Sequence, residues 1–332
     1  MRKFLLYALV TQSGSAVRKQ VKNTQRGFTL IELLVTMLLS SGIILIVSNL
    51  YLSIFTSQRT QFEKSAMYEN ANTALNTIGK NIELAGYYPL NFAIDRSGNV
   101  NVLGEYNKIA LDKTTKNTDL LVYRYPIIGC TAQYWDAGTG ICNNQPTAVD
   151  SDSIAINYFT DDAFFNTAGG IDMGIAANCA RVPPDAYVNI SNTQVFLVSN
   201  RFSLVQTTRA VVEQGSLSMN NLACEVKQSD GGTTGYQALV EGIDQLRFYY
   251  LESTALSTKF VKSSNVTDWS NVIAVKVCLV ARSMLKTKGA EAAYSSKNCD
   301  GTAVTYSDGI SRETFSQIFS VKNNRANVRP TQ

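Results

Sequence analysis

The sequence predicts an α+β protein in which one long N-terminal helix, with a membrane half and an amphipathic half, packs on an antiparallel β-sheet head. Three observations predict it. Residues 28–56 are apolar apart from a single carboxylate, Glu32. Residues 71–85 then repeat apolar side chains at helical steps. Beyond them, about 245 residues break into short alternating runs separated by clusters of Gly, Asn, Asp and Ser.

Residues 1–27 hold six basic side chains, Arg2, Lys3, Arg18, Lys19, Lys22 and Arg26, and no acidic one. Such a block stays cytoplasmic, so the positive-inside rule places everything after the apolar run across the membrane. At about 1.5 Å per residue, residues 28–56 make a helix of about 43 Å, more than the roughly 30 Å hydrocarbon core requires. A secretory signal peptide fits poorly, because its apolar region spans about 7 to 15 residues and ends at a small-residue cleavage site. Here the conspicuous small residue beside the basic block, Gly27, precedes the apolar run.

A lone carboxylate at membrane depth is costly and marks a functional site. Glu32 stands in the stretch Gly27-Phe28-Thr29-Leu30-Ile31-Glu32-Leu33-Leu34-Val35, and no further charge follows until Arg59. This stretch resembles the class III signal of type IV pilins and type II secretion pseudopilins. The resemblance implies that a prepilin peptidase cuts between Gly27 and Phe28 on the cytoplasmic side, removes residues 1–27 as a leader, and methylates the new amine of Phe28. Glu32 would then pair with the Phe28 amine of a neighbouring subunit, since a carboxylate inside an apolar bundle is tolerated when paired. The leader is longer than many in the family, and residues 4–10 are themselves mildly apolar. The plainer alternative is a membrane anchor whose Glu32 sits near the headgroups.

Removing that leader changes the charge. The whole chain carries 30 basic and 26 acidic residues, net +4, whereas 24 against 26 leaves a net of −2. The basic balance therefore belongs to the leader, and no nucleic-acid partner is implied. Lys286 and Lys288 read as solvated surface.

Past the membrane, Ala71, Ala74, Leu75, Ile78, Ile82 and Ala85 follow steps of three and four, so residues 57–86 read as an amphipathic continuation of the helix. Gly86 and Pro89 close it. From residue 28 to 85 this gives a rod of about 87 Å, with two helices joined near residues 56–60 as the alternative and Gly42 as a weak point.

Residues 87–332 form the β-rich head, large enough for one sizeable core. Candidate strands cover 120–125, 154–159, 195–199, 202–206, 245–251, 272–281 and 315–321. In the 272–281 run, Ile273, Val275, Val277 and Leu279 make one wholly apolar face against a mixed one, as expected for a sheet covered on one side by a helix.

Within the head, Leu239-Val240-Glu241-Gly242-Ile243-Asp244-Gln245-Leu246-Arg247-Phe248-Tyr249-Tyr250 resembles the central signature of PilW-type minor pilins. Trp269, the strand from 272 and the closing segment 315–325 follow as in that family. The resemblance implies a type IV pilin-like fold with an elaborated middle at 91–235. It further implies a minor pilin that helps initiate pilus assembly at or near the tip, serving motility or adhesion. Implied partners are other minor pilins, the major pilin, prepilin peptidase, an inner-membrane assembly platform and the membrane itself; no cofactor is implied. The chain is expected in the inner membrane with a periplasmic head, then in the pilus at the cell surface.

Six cysteines, Cys130, Cys142, Cys179, Cys224, Cys278 and Cys299, all lie in the exported head. An even count in an oxidising compartment suggests disulfides, although six cysteines allow 15 pairings. Sequential pairing is the expectation: Cys130 with Cys142 around Trp135, Cys179 with Cys224, and Cys278 with Cys299. A zinc site competes weakly, since there is no Cys-x-x-Cys pair and no histidine. Buried free thiols are the remaining alternative.

The absence of histidine excludes Ser-His-Asp and Cys-His catalysis and His-ligated metals, and no enzyme is expected. Asp150-Ser151-Asp152 and Asp161-Asp162 lack the ordered spacing of a calcium loop and read as polar turns. The Gly231-Gly232-Thr233-Thr234-Gly235 run reads as a flexible loop, because no Lys-Ser/Thr follows it. Two other readings stand behind the minor pilin. One is a minor pseudopilin of a type II secretion system; the other is a signal-anchored exported binding protein or enzyme.

Overall fold

A buried stripe on one helix organises the head. The computed structural model describes residues 27–87, 126–136, 141–143, 151–161, 178–181, 186–190, 193–211, 215–225, 235–286 and 294–323. The basic block before Gly27, Pro89, the strand expected at 120–125, Asp150, Asp162, residues 231–234 and Lys288 lie outside these residues. Helix α1 runs Leu30–Leu84 as one element, without the break considered near residues 56–60. The chain forms two units, Met1–Thr56 and Ser57–Gln332.

In the first unit, α1 presents Leu30, Ile31, Leu33, Leu38, Ile44 and Phe55 among many exposed apolar side chains. Its most apolar window has a mean hydropathy of 2.5 and is long enough to cross a membrane. Several of its hydroxyls are satisfied within the helix: Thr36 donates to the Leu33 carbonyl at 2.9 Å and Ser41 to the Leu38 carbonyl at 2.8 Å. This is the condition lipid imposes on any polar group.

In the second unit, Met67, Ala71, Ala74, Leu75, Ile78 and Ile82 form the buried stripe of α1. They follow the three-and-four spacing because that spacing lines one helical face. Gly86 ends the helix at φ +71°, a left-handed conformation that glycine adopts without a Cβ penalty, and its N–H donates to the Asn157 carbonyl at 2.8 Å.

The strands are β1 Ile127–Cys130, β2 Tyr134–Asp136, β3 Ile141–Asn143, β4 Ser153–Asp161, β5 Ala186–Ile190, β6 Thr193–Val211, β7 Gly215–Glu225, β8 Tyr236–Glu241, β9 Ile243–Ser253, β10 Thr258–Val261, β11 Val272–Arg282, β12 Tyr294–Lys297, β13 Ala303–Tyr306 and β14 Arg312–Ser320. All recorded pairings are antiparallel. One sheet has the order β1-β4-β6-β7-β8, with β5 also on β6; a second has the order β10-β9-β11-β14. β2-β3 and β12-β13 are separate hairpins. Both larger sheets close on the α1 stripe in one core, where Ile78 and Ile82 join Ile154, Phe202, Phe248, Val275, Leu279 and Phe319.

The structure corrects the strand reading at two places. The expected strands at 195–199 and 202–206 are one strand, β6, because the polar pair between them is held by tertiary partners rather than by a turn. Asn200 accepts the Cys179 N–H at 2.7 Å and donates to Asn81, while Arg201 pairs with Glu225 at 3.1 Å. β11 is also buried on both faces. Val275, Val277 and Leu279 face the core, and Cys278, Val280 and Arg282 on the other face are buried too. The β12-β13 segment accounts for the second layer, tied down by Cys278–Cys299 and by Ser296 donating to the Arg312 carbonyl at 3.3 Å.

Candidate functional site

The N-terminal end of α1 is built around Thr29 and Glu32. Gly27 and Phe28 precede the helix, both exposed, and Glu32 sits in its first turn. The Glu32 N–H donates to Thr29 Oγ1 at 3.3 Å, while the Thr29 N–H donates to Glu32 Oε2 at 3.4 Å. The Thr29 hydroxyl also reaches Glu32 Oε2 at 3.4 Å. This reciprocal arrangement is a capping box: Thr29 and Glu32 each satisfy a helix-end N–H that has no partner within the helix. The carboxylate also lies at the positive end of the helix dipole. Sequence reading found Glu32 but not Thr29, although Thr-x-x-Glu before an apolar run was the available signal.

In the head, the six cysteines form three disulfides, Cys130–Cys142, Cys179–Cys224 and Cys278–Cys299, each with its Cα atoms 5.7 Å apart. They close loops with sequence separations of 12, 45 and 21. Each therefore restricts the unfolded chain, by on the order of 3 kcal/mol in the loop-entropy account.

Asp152 is not the solvated turn residue that its sequence context suggested. It is buried; its Oδ1 accepts the Ala132 N–H at 2.9 Å and Arg247 Nη1 at 3.1 Å, and its Oδ2 accepts the Phe248 N–H at 3.0 Å. Burial pushes its carboxyl above the ordinary value against those two amides and Arg247. Arg247 also lies 3.8 Å from Asp300, which is paired with Lys262 at 2.9 Å. The Lys262 hydrogen bond holds the Asp300 carboxyl below its ordinary value. Tyr249 donates to the Cys299 carbonyl at 3.0 Å and to Asp300 at 3.2 Å; burial and then Asp300 push it up to about 12. These groups fix the first layer of β9 against the 298–302 turn. They saturate one another, as a structural network does.

Glu63 is a further residue that sequence reading missed. It is buried on the head portion of α1, and its Oε2 accepts the N–H groups of Met284 at 3.0 Å and Leu285 at 2.9 Å. Charge-assisted bonds to two successive amides hold the segment after β11 against the helix. Gly242, at φ +75°, serves the same junction, where its carbonyl accepts the Arg282 N–H at 2.9 Å and a Cβ would press on Arg282 and Met284.

No curated protein and no solved structure matches the chain. Two families do match parts of it. The first covers β9, β10, β11 and β14 with the end of β6 and all of β7 and β8; the second covers the Gly27 to Glu32 signal. Residues 204–323 match Type IV Pilus-assembly protein W and residues 22–48 match the Prokaryotic N-terminal methylation motif, so the chain resembles type IV pilus subunits at its N-terminal signal and in its head.

Proposed function

We propose that this chain is a minor pilin that helps initiate type IV pilus assembly and sits at or near the filament tip. The observation that carries the reading is the capped apolar helix start: a methylation-type signal, an exposed Phe28, and Glu32 four residues on in the first turn of α1. Prepilin peptidase cleaves after Gly27 and methylates Phe28. The mature helix then packs beside those of other minor pilins and the major pilin on an inner-membrane platform. Glu32 meets the freed Phe28 amine of its neighbour, exchanging its Thr29 contacts for a charged partner in a low-dielectric bundle.

A type IV pilin-like fold, helix on antiparallel sheet, suits this role because the apolar half of α1 enters the filament while the head remains outside. The chain acts as a structural subunit: it contains no histidine, and the buried carboxylates of the described residues are taken up by arginine, threonine and backbone partners. In the mature protein the head is periplasmic before assembly and surface-displayed afterwards, where its loops serve adhesion or motility.

The test is the mature N-terminus of the full chain, measured by mass spectrometry with and without prepilin peptidase. A peptidase-dependent product beginning at Phe28 and heavier by a methyl group supports the reading. An uncut chain, or one cut after residue 56, sinks it.

A further inference from the structure

Every cysteine of the head is joined to its neighbour along the chain. Of the 15 pairings that six cysteines allow, a single one links only neighbours. Cys130–Cys142 encloses β2, which pairs with β3. Cys179–Cys224 encloses β5, β6 and most of β7, each paired with the next. Cys278–Cys299 encloses the end of β11 and all of β12.

The order of burial follows the same direction. One cysteine of each pair is nearly inaccessible, Cys130 at 1%, Cys224 at 0% and Cys278 at 3% exposure, while Cys142, Cys179 and Cys299 are half-buried. Across the ladders Cys130 lies opposite Ser153 of β4, Cys224 opposite Phe202 of β6 and Gln237 of β8, and Cys278 opposite Arg247 of β9 and Ser316 of β14. In each case the last of these strands, β4, β8 or β14, follows the second cysteine of that pair in sequence. Both thiols are therefore present before the ladder around the buried one is complete. After it closes, an attacking thiolate has little access to that sulfur, and exchange depends on access.

We propose that a thiol oxidase of the export compartment makes the three bonds in chain order as the head emerges, so that the head needs no disulfide isomerase. This rests on export of the head, as in the minor-pilin reading. One cysteine thiolate attacks the oxidase's disulfide, forming a mixed disulfide and releasing one oxidase sulfur as a thiol. The second cysteine thiolate attacks the chain sulfur of that mixed disulfide, forming the S–S bond and expelling the other oxidase sulfur. Two electrons and two protons pass from the cysteine pair to the oxidase, which ends as a dithiol. When Cys142 emerges, Cys130 is the only earlier thiol. Once they are joined, Cys179 waits for Cys224, and then Cys278 for Cys299. Emergence alone selects the native partner each time, and no wrong bond is left to reshuffle.

The test expresses the full chain in a host with both enzymes, in one lacking the isomerase and in one lacking the oxidase. Free thiols are alkylated and the bonds mapped by non-reducing peptide mass spectrometry. The parent is expected to form all three native bonds to the same extent without the isomerase, and to keep six thiols without the oxidase. Cys142→Ser separates emergence from the stability of the fold. Cys130 then meets Cys179 first, so without the isomerase Cys130–Cys179 and Cys224–Cys278 form and both remaining native bonds are lost; with the isomerase they return. Cys299→Ser removes the last thiol to emerge and leaves the first two bonds intact in both hosts. Mispaired bonds in the parent without the isomerase, Cys179–Cys224 formed in Cys142→Ser without it, or native bonds formed without the oxidase overturn the proposal. Six thiols in the parent with both enzymes present overturn the export reading as well.

Discussion

The Tyr250 hydroxyl lies where a side chain at Gly129 would begin, so strand β1 passes over a tyrosine tip in the core with no room for a methyl group. That hydroxyl has no hydrogen-bond partner among the described residues. Gly129→Ala is expected to destabilise the head by about 1 to 3 kcal/mol through overpacking. Tyr250→Phe is expected to be neutral or stabilising by about 1 kcal/mol, because it removes an unsatisfied buried group. The double variant recovers part of the Gly129→Ala loss, and urea unfolding of all three with the parent measures that non-additivity.

The Glu63 contacts predict a different response. Glu63→Leu keeps the apolar volume but strands two amides, and should cost about 1 to 3 kcal/mol. Hydrogen exchange then shows the Met284 and Leu285 amides losing protection. Unchanged protection there would rule out the junction as drawn.

The Asp300 carboxylate gives a pH dependence. Its folded value is depressed below 3.8 chiefly by Lys262, with burial opposing. A depressed carboxylate contributes stability that is present above its unfolded value and lost as pH falls through the folded one. Lys262→Met should therefore raise the Asp300 midpoint in an NMR titration and shrink the loss of stability below about pH 4. The pair is partly exposed, so the effect is small and weakens with salt.

Opening Cys278–Cys299 by the double change to Ala should cost about 3 kcal/mol, as expected for a closed loop of this length. It should also free β12-β13 from the outer face of β11, read as new protease cutting between residues 286 and 312. The parent should show no free thiol on denaturation, since all six cysteines are paired.

Glu32→Gln preserves a capping oxygen for Thr29 but removes the charge that a neighbouring amine would meet. Processing at Gly27 and the head's thermal transition are expected to stay unchanged while incorporation into pili is lost, measured on sheared filaments. Normal incorporation would remove the assembly role of Glu32.

Much of the architecture was legible wherever local pattern and tertiary outcome agree. The α1 stripe from Ala71 to Ile82 needed only helical spacing, and the core face of β11 only alternation, whereas the cover on its other face depends on the distant Cys299. β6 was misread because Asn200 and Arg201 look like turn residues, and what keeps them in a strand is Asn81, Cys179 and Glu225, distant in sequence. Asp152 was misread for the same reason: its partner Arg247 lies 95 residues away. Glu63 was invisible on an amphipathic helix, since the donors to its carboxylate are backbone N–H groups that no residue type announces. Thr29, by contrast, stood in a readable capping pattern overshadowed by the charge beside it.

Several polar partners of the head portion of α1 lie late in the chain. Tyr68 bonds Glu313 across 245 residues and Asn323 reaches the Glu83 carbonyl across 240. The helix is among the first segments made and the last to be fully covered. Until the β14 region has been made, the stripe from Met67 to Ile82 lacks Phe319 and Val321, although β4 and β6 already supply part of its cover. A chain truncated near residue 310 would keep its apolar helix and most of its strands, yet leave that last flank of the stripe open.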